Sequence, residues 1–272
     1  MTTRARPASP QRVRWGKTLR IAALLGILVL VALTTLQDRY RSTRWREPLF
    51  VAIYPIAADE SPATLRYVES LDTGEFKAID HFFAREAARY GLGTDEPFRS
   101  RLRPALEDRP PQRAASAGPL ATAFWSLQLR YWAWRVSRQA REPADVRIFV
   151  LYHDPALTRT VPHSLGLTKG LIGVVYAFAA PEMTAENNVV IAHELLHTVG
   201  ATDKYDPVDD APRFPDGYGD PAQVPLYPQR YAELMAGRRM LARGRWEQVS
   251  SLDDVVVGAA TAHEIRWRQN AD

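Results

Sequence analysis

From residue 49 onward, apolar and polar positions follow the periods of strands and helices in turn. Runs rich in β-branched and aromatic residues predict three strands: residues 49–57, 146–152 and 171–178. Apolar side chains recurring every three or four residues predict four helices: residues 64–71, 75–90, 119–139 and 185–199. Strands that alternate with helices indicate an α/β fold, with a mixed twisted sheet covered by helices.

Three segments within this pattern need an interpretation of their own. The predicted helix at residues 119–139 carries an aromatic band with Trp125 and Trp132 beside it, formed by Phe124, Leu127, Tyr131 and Trp134. A helix covering a sheet explains the band better than a ligand site or a membrane surface does. The Pro- and Arg-rich residues 94–118 predict a surface excursion. Ser251 predicts the cap of a C-terminal helix that continues through Ile265.

A different pattern lies near the N-terminus, where residues 21–36 form an uncharged apolar run. With Leu19 included and Arg20 snorkelling outward, the run approaches the length of a short membrane-spanning helix. No clean small-x-small cleavage site follows it, so a retained anchor or uncleaved signal is favoured over a removed signal peptide. The predicted organisation is a basic tail (1–18), a transmembrane anchor (19–37), a linker (38–48) and one catalytic domain (49–272).

The charge divides unevenly between these parts. Residues 1–47 carry a net charge of +8 and the whole chain +4, so residues 48–272 carry −4. This acidic balance removes the electrostatic basis for nucleic-acid binding by the main body. The basic flank of the apolar run favours a cytoplasmic N-terminus and a single-pass protein of the cell membrane, with its body extracytoplasmic, or secreted if the run is cleaved. The chain has no cysteine, so any metal site must use histidine and carboxylate ligands.

The main chemical signal lies in the predicted helix at residues 185–199. It contains His193-Glu194-Leu195-Leu196-His197, an H-E-x-x-H string. The i, i+4 spacing puts both imidazoles on one helical face, at the separation that a single zinc ion needs. Gly200 stands where a helix C-cap belongs, and Asp203 follows three residues later.

The extended string, H-E-x-x-H-x-x-G-x-x-D, resembles the signature of the metzincin zinc peptidases, and it looks most like the snapalysin-like subgroup with Asp in the third position. The resemblance implies an α+β zincin-like fold, zinc ligands at His193, His197 and Asp203, and a general base at Glu194. It offers Tyr205 as a transition-state stabiliser and Met235 as the methionine turn. The match covers about 45 residues, and the long Pro-rich segment 206–230 departs from it.

Other residues compete for some of these roles. Asp206 and Glu233 are alternatives for the third ligand, but only Asp203 lies where a chain reversing at Gly200 returns directly to the histidines. Five acidic residues in the Pro-rich segment could bind Ca²⁺, but a solvated lid is the favoured interpretation of this segment. They are Asp206, Asp209, Asp210, Asp216 and Asp220. His263 and Glu264 are interpreted as a helix-surface pair, because Trp267 stands where a second histidine would be needed.

These residues predict a membrane-tethered, extracytoplasmic zinc metalloprotease that hydrolyses protein or peptide substrates. Zinc with three protein ligands keeps a position for water, whose proton Glu194 can accept. Two alternatives stay open: a non-catalytic zinc-binding or scaffold protein with a vestigial site, and a zinc amidase acting on cell-envelope material. Peptidase and amidase share the same metal chemistry, so a substrate profile separates them.

The apolar run generates a first testable prediction. The 272-residue chain should stay in the membrane fraction through an alkaline wash, because the uncharged run with its basic flank favours insertion. Protease added from outside should reach the body. Recovery of a soluble chain that starts near Thr35 would identify the run as a removed signal peptide.

Overall fold

The computed structural model describes residues 19–22, 25, 26, 29, 44–112, 118–138, 142–168 and 170–268. The chain divides into two units, Met1–Gln37 and Asp38–Asp272. In the first unit the described residues are helical. Across the described residues, no helix has both the length and the apolar character needed to cross a membrane. The predicted tail and most of the predicted anchor lie outside the described residues.

The second unit is built on a five-stranded sheet. Its strands are β1 (Leu49–Ala57), β2 (Phe98–Leu102), β3 (Val146–His153), β4 (Leu165–Leu167) and β5 (Ile172–Phe178). The order across the sheet is β2-β1-β3-β5-β4, with β4 antiparallel to β5 and the other pairs parallel. Ile53 lies between Leu102 and Ile148 at the centre of the register. The predicted mixed sheet is confirmed.

Helices cover both faces of this sheet, which explains why its central strands are apolar on both sides. One face packs against α1 (Pro62–Ser70) and α2 (Lys77–Arg89), together with α4 (Thr184–Val199). The other face packs against α3 (Pro119–Ser137). Successive residues of β1 alternate between the two cores, with Val51 and Ile53 in one and Ala52 and Tyr54 in the other.

The structure corrects the interpretation of α3. The helix covers the sheet as predicted, but through Trp125, Leu129, Trp132 and Ala133. The aromatic band named from the sequence faces outward, and Phe124 and Tyr131 are 62% and 64% exposed. Because α3 is apolar on both sides, its periodicity does not identify which side meets the sheet.

Residues 94–118 were predicted as a surface excursion, and this prediction is wrong in part. They contain β2, a parallel edge strand in which Phe98 and Ser100 are buried while Arg99 and Arg101 are exposed. The strand is only five residues long. Alternating arginines are tolerated at the edge of a sheet, but they leave no continuous apolar run from which the strand could be predicted.

The predicted C-terminal helix at residues 251–265 is also corrected. Ser251 caps a short 3-10 turn, and β9 (Val255–Val256) and then α5 (Ala259–Glu264) follow. The β-branched run and Gly258 interrupt the helix, and β9 pairs with β6 (Ala232–Glu233). A hairpin of β7 (Arg238–Ala242) and β8 (Arg245–Gln248) lies between them in the sequence.

Edge strand β4 contacts α4 through Gly166. A Cβ at Gly166 would overlap the backbone oxygen of Glu194 and the Cβ of His197. Glycine therefore permits an approach between the strand and the helix that no other residue allows.

We expect Gly166→Ala to lower the free energy of unfolding by about 1–3 kcal/mol, because the backbone of α4 has to move to accept the methyl group. Urea unfolding measures the effect. Gly93→Ala is the matched control, since an added Cβ at Gly93 has no atom within 4 Å. Equal stabilities of the two variants would contradict the close approach.

Candidate metal centre

Helix α4 presents the two histidines of the H-E-x-x-H string. Its core side buries Ile191, Leu195 and Val199, which places His193 and His197 together on another side. The helix ends at Gly200, whose φ of 112° is in the left-handed region, as expected for a C-cap glycine. The chain then turns back toward the histidines and delivers Asp203.

Three side-chain atoms converge at this point. His193 Nε2 and His197 Nε2 lie 3.1 Å apart. Asp203 Oδ1 lies 3.2 Å from the first nitrogen and 3.1 Å from the second. In the described part of the chain these residues form the one group of three or more potential ligands able to hold a metal ion.

The contact at Nδ1 of each imidazole determines that this nitrogen carries a hydrogen. His193 Nδ1 lies 3.0 Å from the carbonyl oxygen of Leu234, and His197 Nδ1 lies 2.8 Å from that of Ala201. A carbonyl oxygen can only accept, so each Nδ1 must carry the hydrogen. In the neutral ring each Nε2 then directs a lone pair toward Asp203, which is the tautomer that a metal-ligating histidine requires.

This arrangement fits a tetrahedral zinc ion. Zinc-to-ligand bonds of about 2.0–2.2 Å place neighbouring ligand atoms about 3.3–3.6 Å apart, slightly more than the three distances of 3.1–3.2 Å found here. Asp203 Oδ1 is buried and receives no hydrogen bond from the described residues. A buried acceptor without a donor is costly, and a cation at this position would remove that cost.

The electrostatics of the group reflect the same crowding. Burial is the largest influence on His193 and lowers the pKa of its imidazole, but the adjacent carboxylates of Asp203 and Glu194 favour the protonated ring and raise that pKa to about 9. Burial likewise raises the pKa of Asp203, while the two imidazoles outweigh it and hold the pKa well below its usual range. The negative carboxylate and the two imidazoles thus favour a positive charge between them.

Glu194 lies beside the ligands and remains without a partner. The residue is buried, and its Oε2 accepts no hydrogen bond within the described structure. Burial raises the pKa of this carboxyl group, and the neighbouring imidazoles oppose the rise. Together with His193 and Tyr205, Glu194 lines a cleft of about 520 Å³.

The two alternative third ligands are placed elsewhere. The Glu233 carboxylate is fully buried and accepts hydrogen bonds from Ala236 N, Gly258 N and Thr261 Oγ1. Asp206 accepts from Val208 N within its own turn. Asp209 and Asp220 bind backbone N–H groups in the same way, which gives these carboxylates a role in shaping the loop.

Tyr205 and Met235 belong to two segments that are joined by a hydrogen bond from Lys204 N to Met235 O. The guanidinium of Arg238 stacks on the Tyr205 ring, 5.5 Å from its centroid. Met235 is completely buried, and its backbone oxygen accepts from Lys204 N. The turn that contains Met235 also supplies the Leu234 carbonyl that orients His193.

Sequence reasoning missed one residue near the centre. Glu264 does not form a surface pair with His263, because its carboxylate binds Thr202 and Lys204 on either side of Asp203. About 60 residues separate these partners in the chain, so no local spacing indicates the contact.

Comparisons with known proteins add little to this geometry. No protein-family model matches the chain, and no curated protein matches it. A solved structure described as "Structure of a chaperone-substrate complex" is similar at a TM-score of 0.34 and 11% sequence identity, over 82% of this chain and 36% of that chain. A likeness this weak carries no argument about fold or function.

The convergence of three atoms predicts the effect of removing one of them. Asp203→Ala should weaken zinc binding at least about tenfold, because two imidazoles alone make an incomplete set of protein ligands. Competition with a zinc-binding dye measures the affinity. Asp206→Ala is the matched control and should bind zinc as the unaltered chain does. Retained affinity in Asp203→Ala would remove Asp203 from the ligand set.

Proposed function

We propose that the protein is a zinc metallopeptidase with a zincin-like fold. In this proposal His193, His197 and Asp203 bind the zinc ion. The observation that carries the proposal is the placement of Glu194 beside the three converging ligand atoms. Its carboxylate is buried, lacks a hydrogen-bond donor on Oε2 and borders an open cleft. A carboxylate left unsatisfied at such a position is typical of a proton acceptor rather than a structural group.

Each residue of the centre has a distinct task in this proposal. Zinc, when bound, supplies Lewis acidity toward a peptide carbonyl and toward water. Glu194 accepts a proton from the water and returns it to the leaving amine, since its raised pKa makes it a stronger base than an exposed carboxylate. Tyr205 borders the same cleft, and the proposal gives its hydroxyl the task of donating a hydrogen bond to the developing oxyanion.

The proposed substrates are proteins or peptides outside the cytoplasm. The apolar run at residues 21–36 supports a membrane tether, and its basic flank supports an extracytoplasmic catalytic domain. The mildly acidic body supports no role with nucleic acid. The cleft beside Glu194 has a volume of about 520 Å³, and the proposal assigns it to an extended peptide substrate.

Two other functions make different experimental predictions. A non-catalytic zinc-binding or scaffold protein would hold zinc but hydrolyse nothing. A zinc amidase would require the same residues and would prefer cell-envelope fragments to unfolded protein. Hydrolysis of a generic unfolded protein, compared with envelope fragments, distinguishes all three.

The role of Glu194 gives a direct test. Glu194→Gln should lower turnover of an unfolded protein substrate by about 10²- to 10⁴-fold, because glutamine cannot accept the proton. Zinc content should stay at one ion per chain, since Glu194 is not in the ligand group. The isosteric control is Gln248→Glu on another wall of the cleft. A fully active Glu194→Gln protein would overturn the mechanism, and zinc binding without hydrolysis in the unaltered chain would favour the scaffold.

A further inference from the structure

One carboxylate holds both neighbours of the third ligand. Glu264 Oε2 accepts from Thr202 N at 2.9 Å, and its Oε1 accepts from Thr202 Oγ1 at 2.7 Å. The same carboxylate receives Lys204 Nζ on both oxygens, at 2.7 and 2.8 Å. Thr202 and Lys204 are the residues directly before and after Asp203. One distant side chain thus binds the backbone N of Thr202 and the ammonium group of Lys204, on either side of Asp203.

The lysine in this contact is buried, which makes the pairing costly to break. Lys204 is only 6% exposed, and its ammonium group also donates to Thr202 O and Oγ1. Its backbone N donates to Met235 O and its backbone oxygen accepts from Arg213 N. A buried ammonium needs both a counter-charge and hydrogen-bond acceptors, and Glu264 supplies the charge.

The element that carries Glu264 is itself anchored in the core. Gly258 N and Thr261 Oγ1, at the start of α5, donate to the buried carboxylate of Glu233. Trp45 Nε1 donates to the backbone oxygen of Ile265 at its end, at 2.7 Å. Glu264 therefore lies on a helix that is hydrogen-bonded to the core at both ends, and its side chain reaches the Asp203 loop.

From these contacts we infer that Glu264 is a positioning residue for the third metal ligand, acting through Thr202 and Lys204. The inference rests on the proposed zinc site. Asp203 Oδ1 receives no hydrogen bond within the described structure, so its aim toward the imidazoles depends on its backbone. Arg213 Nη2 donates to the backbone oxygen of Asp203, and Glu264 holds the residues before and after it, so that the Asp203 side chain is presented to the metal without a rearrangement of the loop.

The test measures zinc affinity in the full 272-residue chain by competition with a chromophoric chelator. Glu264→Gln and Lys204→Met should each weaken zinc binding by about 10- to 100-fold, the usual effect of losing a group that orients a metal ligand. The double variant should lose little more than either single variant, because both changes break the same contact. Glu264→Ala should lose at least as much affinity as Glu264→Gln.

A matched control separates positioning from general stability. Glu86 also binds the C-terminal segment, since its carboxylate accepts from Val257 N at 2.8 Å, but it does not contact the Asp203 loop. Glu86→Gln should lower the melting temperature and leave the zinc affinity unchanged. If Glu264→Gln behaves as Glu86→Gln does, Glu264 is merely structural and the inference is wrong.

A second readout reports the ligand geometry directly. With Co²⁺ in place of zinc, Glu264→Gln should alter the visible absorption bands, which depend on the coordination geometry, and Glu86→Gln should not. Unchanged affinity and bands in Glu264→Gln would overturn the positioning role while leaving the zinc site in place. An unaltered chain that binds neither metal would instead remove the zinc proposal itself.

Discussion

Three hydrogen-bond acceptors held about 3 Å apart repel one another unless a cation or protons lie between them, and the surrounding structure is arranged to keep them there. The backbone carbonyls of Leu234 and Ala201 bind the outer nitrogens of His193 and His197, so in the neutral rings both inner nitrogens present lone pairs. Asp203 adds a third acceptor to the same point. Because folding must overcome this repulsion, the supports behind each ligand belong to the centre as much as the ligands do.

Apart from Ala201, which follows the helix directly, those supports come from parts of the chain far from the H-E-x-x-H helix. The Leu234 carbonyl lies in a turn whose preceding residue, Glu233, is fixed by Gly258 and Thr261. The Asp203 loop is fixed by Glu264. Both contacts lead to the C-terminal segment, through Gly258, Thr261 and Glu264. The sheet and α4 position the two histidines, whereas the C-terminal segment contacts the turn at Leu234 and the Asp203 loop.

This division explains what the sequence predicted and what it did not. The bounds of β1, the H-E-x-x-H helix and the turn at Gly200 were predicted correctly, because each depends on local spacing or on one residue's backbone preference. Strand β2 was missed because its exposed arginines, which are tolerated at the edge of a sheet, interrupt the apolar pattern. The outward band of α3 was misassigned because the helix is apolar on both sides. Glu264 was interpreted as part of a helix-surface pair, and its contact with the Asp203 loop was missed because its partners lie about 60 residues away, where periodicity carries no information.

The buried glutamates show how the structure separates support from chemistry. In the described chain the structure buries three of them, Glu86, Glu194 and Glu233. Glu86 accepts from Val257 N and pairs with Arg89, and Glu233 accepts three hydrogen bonds. Glu194 alone of the three keeps an oxygen without a donor. The structure satisfies the other two carboxylates and leaves this one unsatisfied beside the three converging atoms and the cleft, and this contrast supports the proposed role of Glu194 as a proton acceptor.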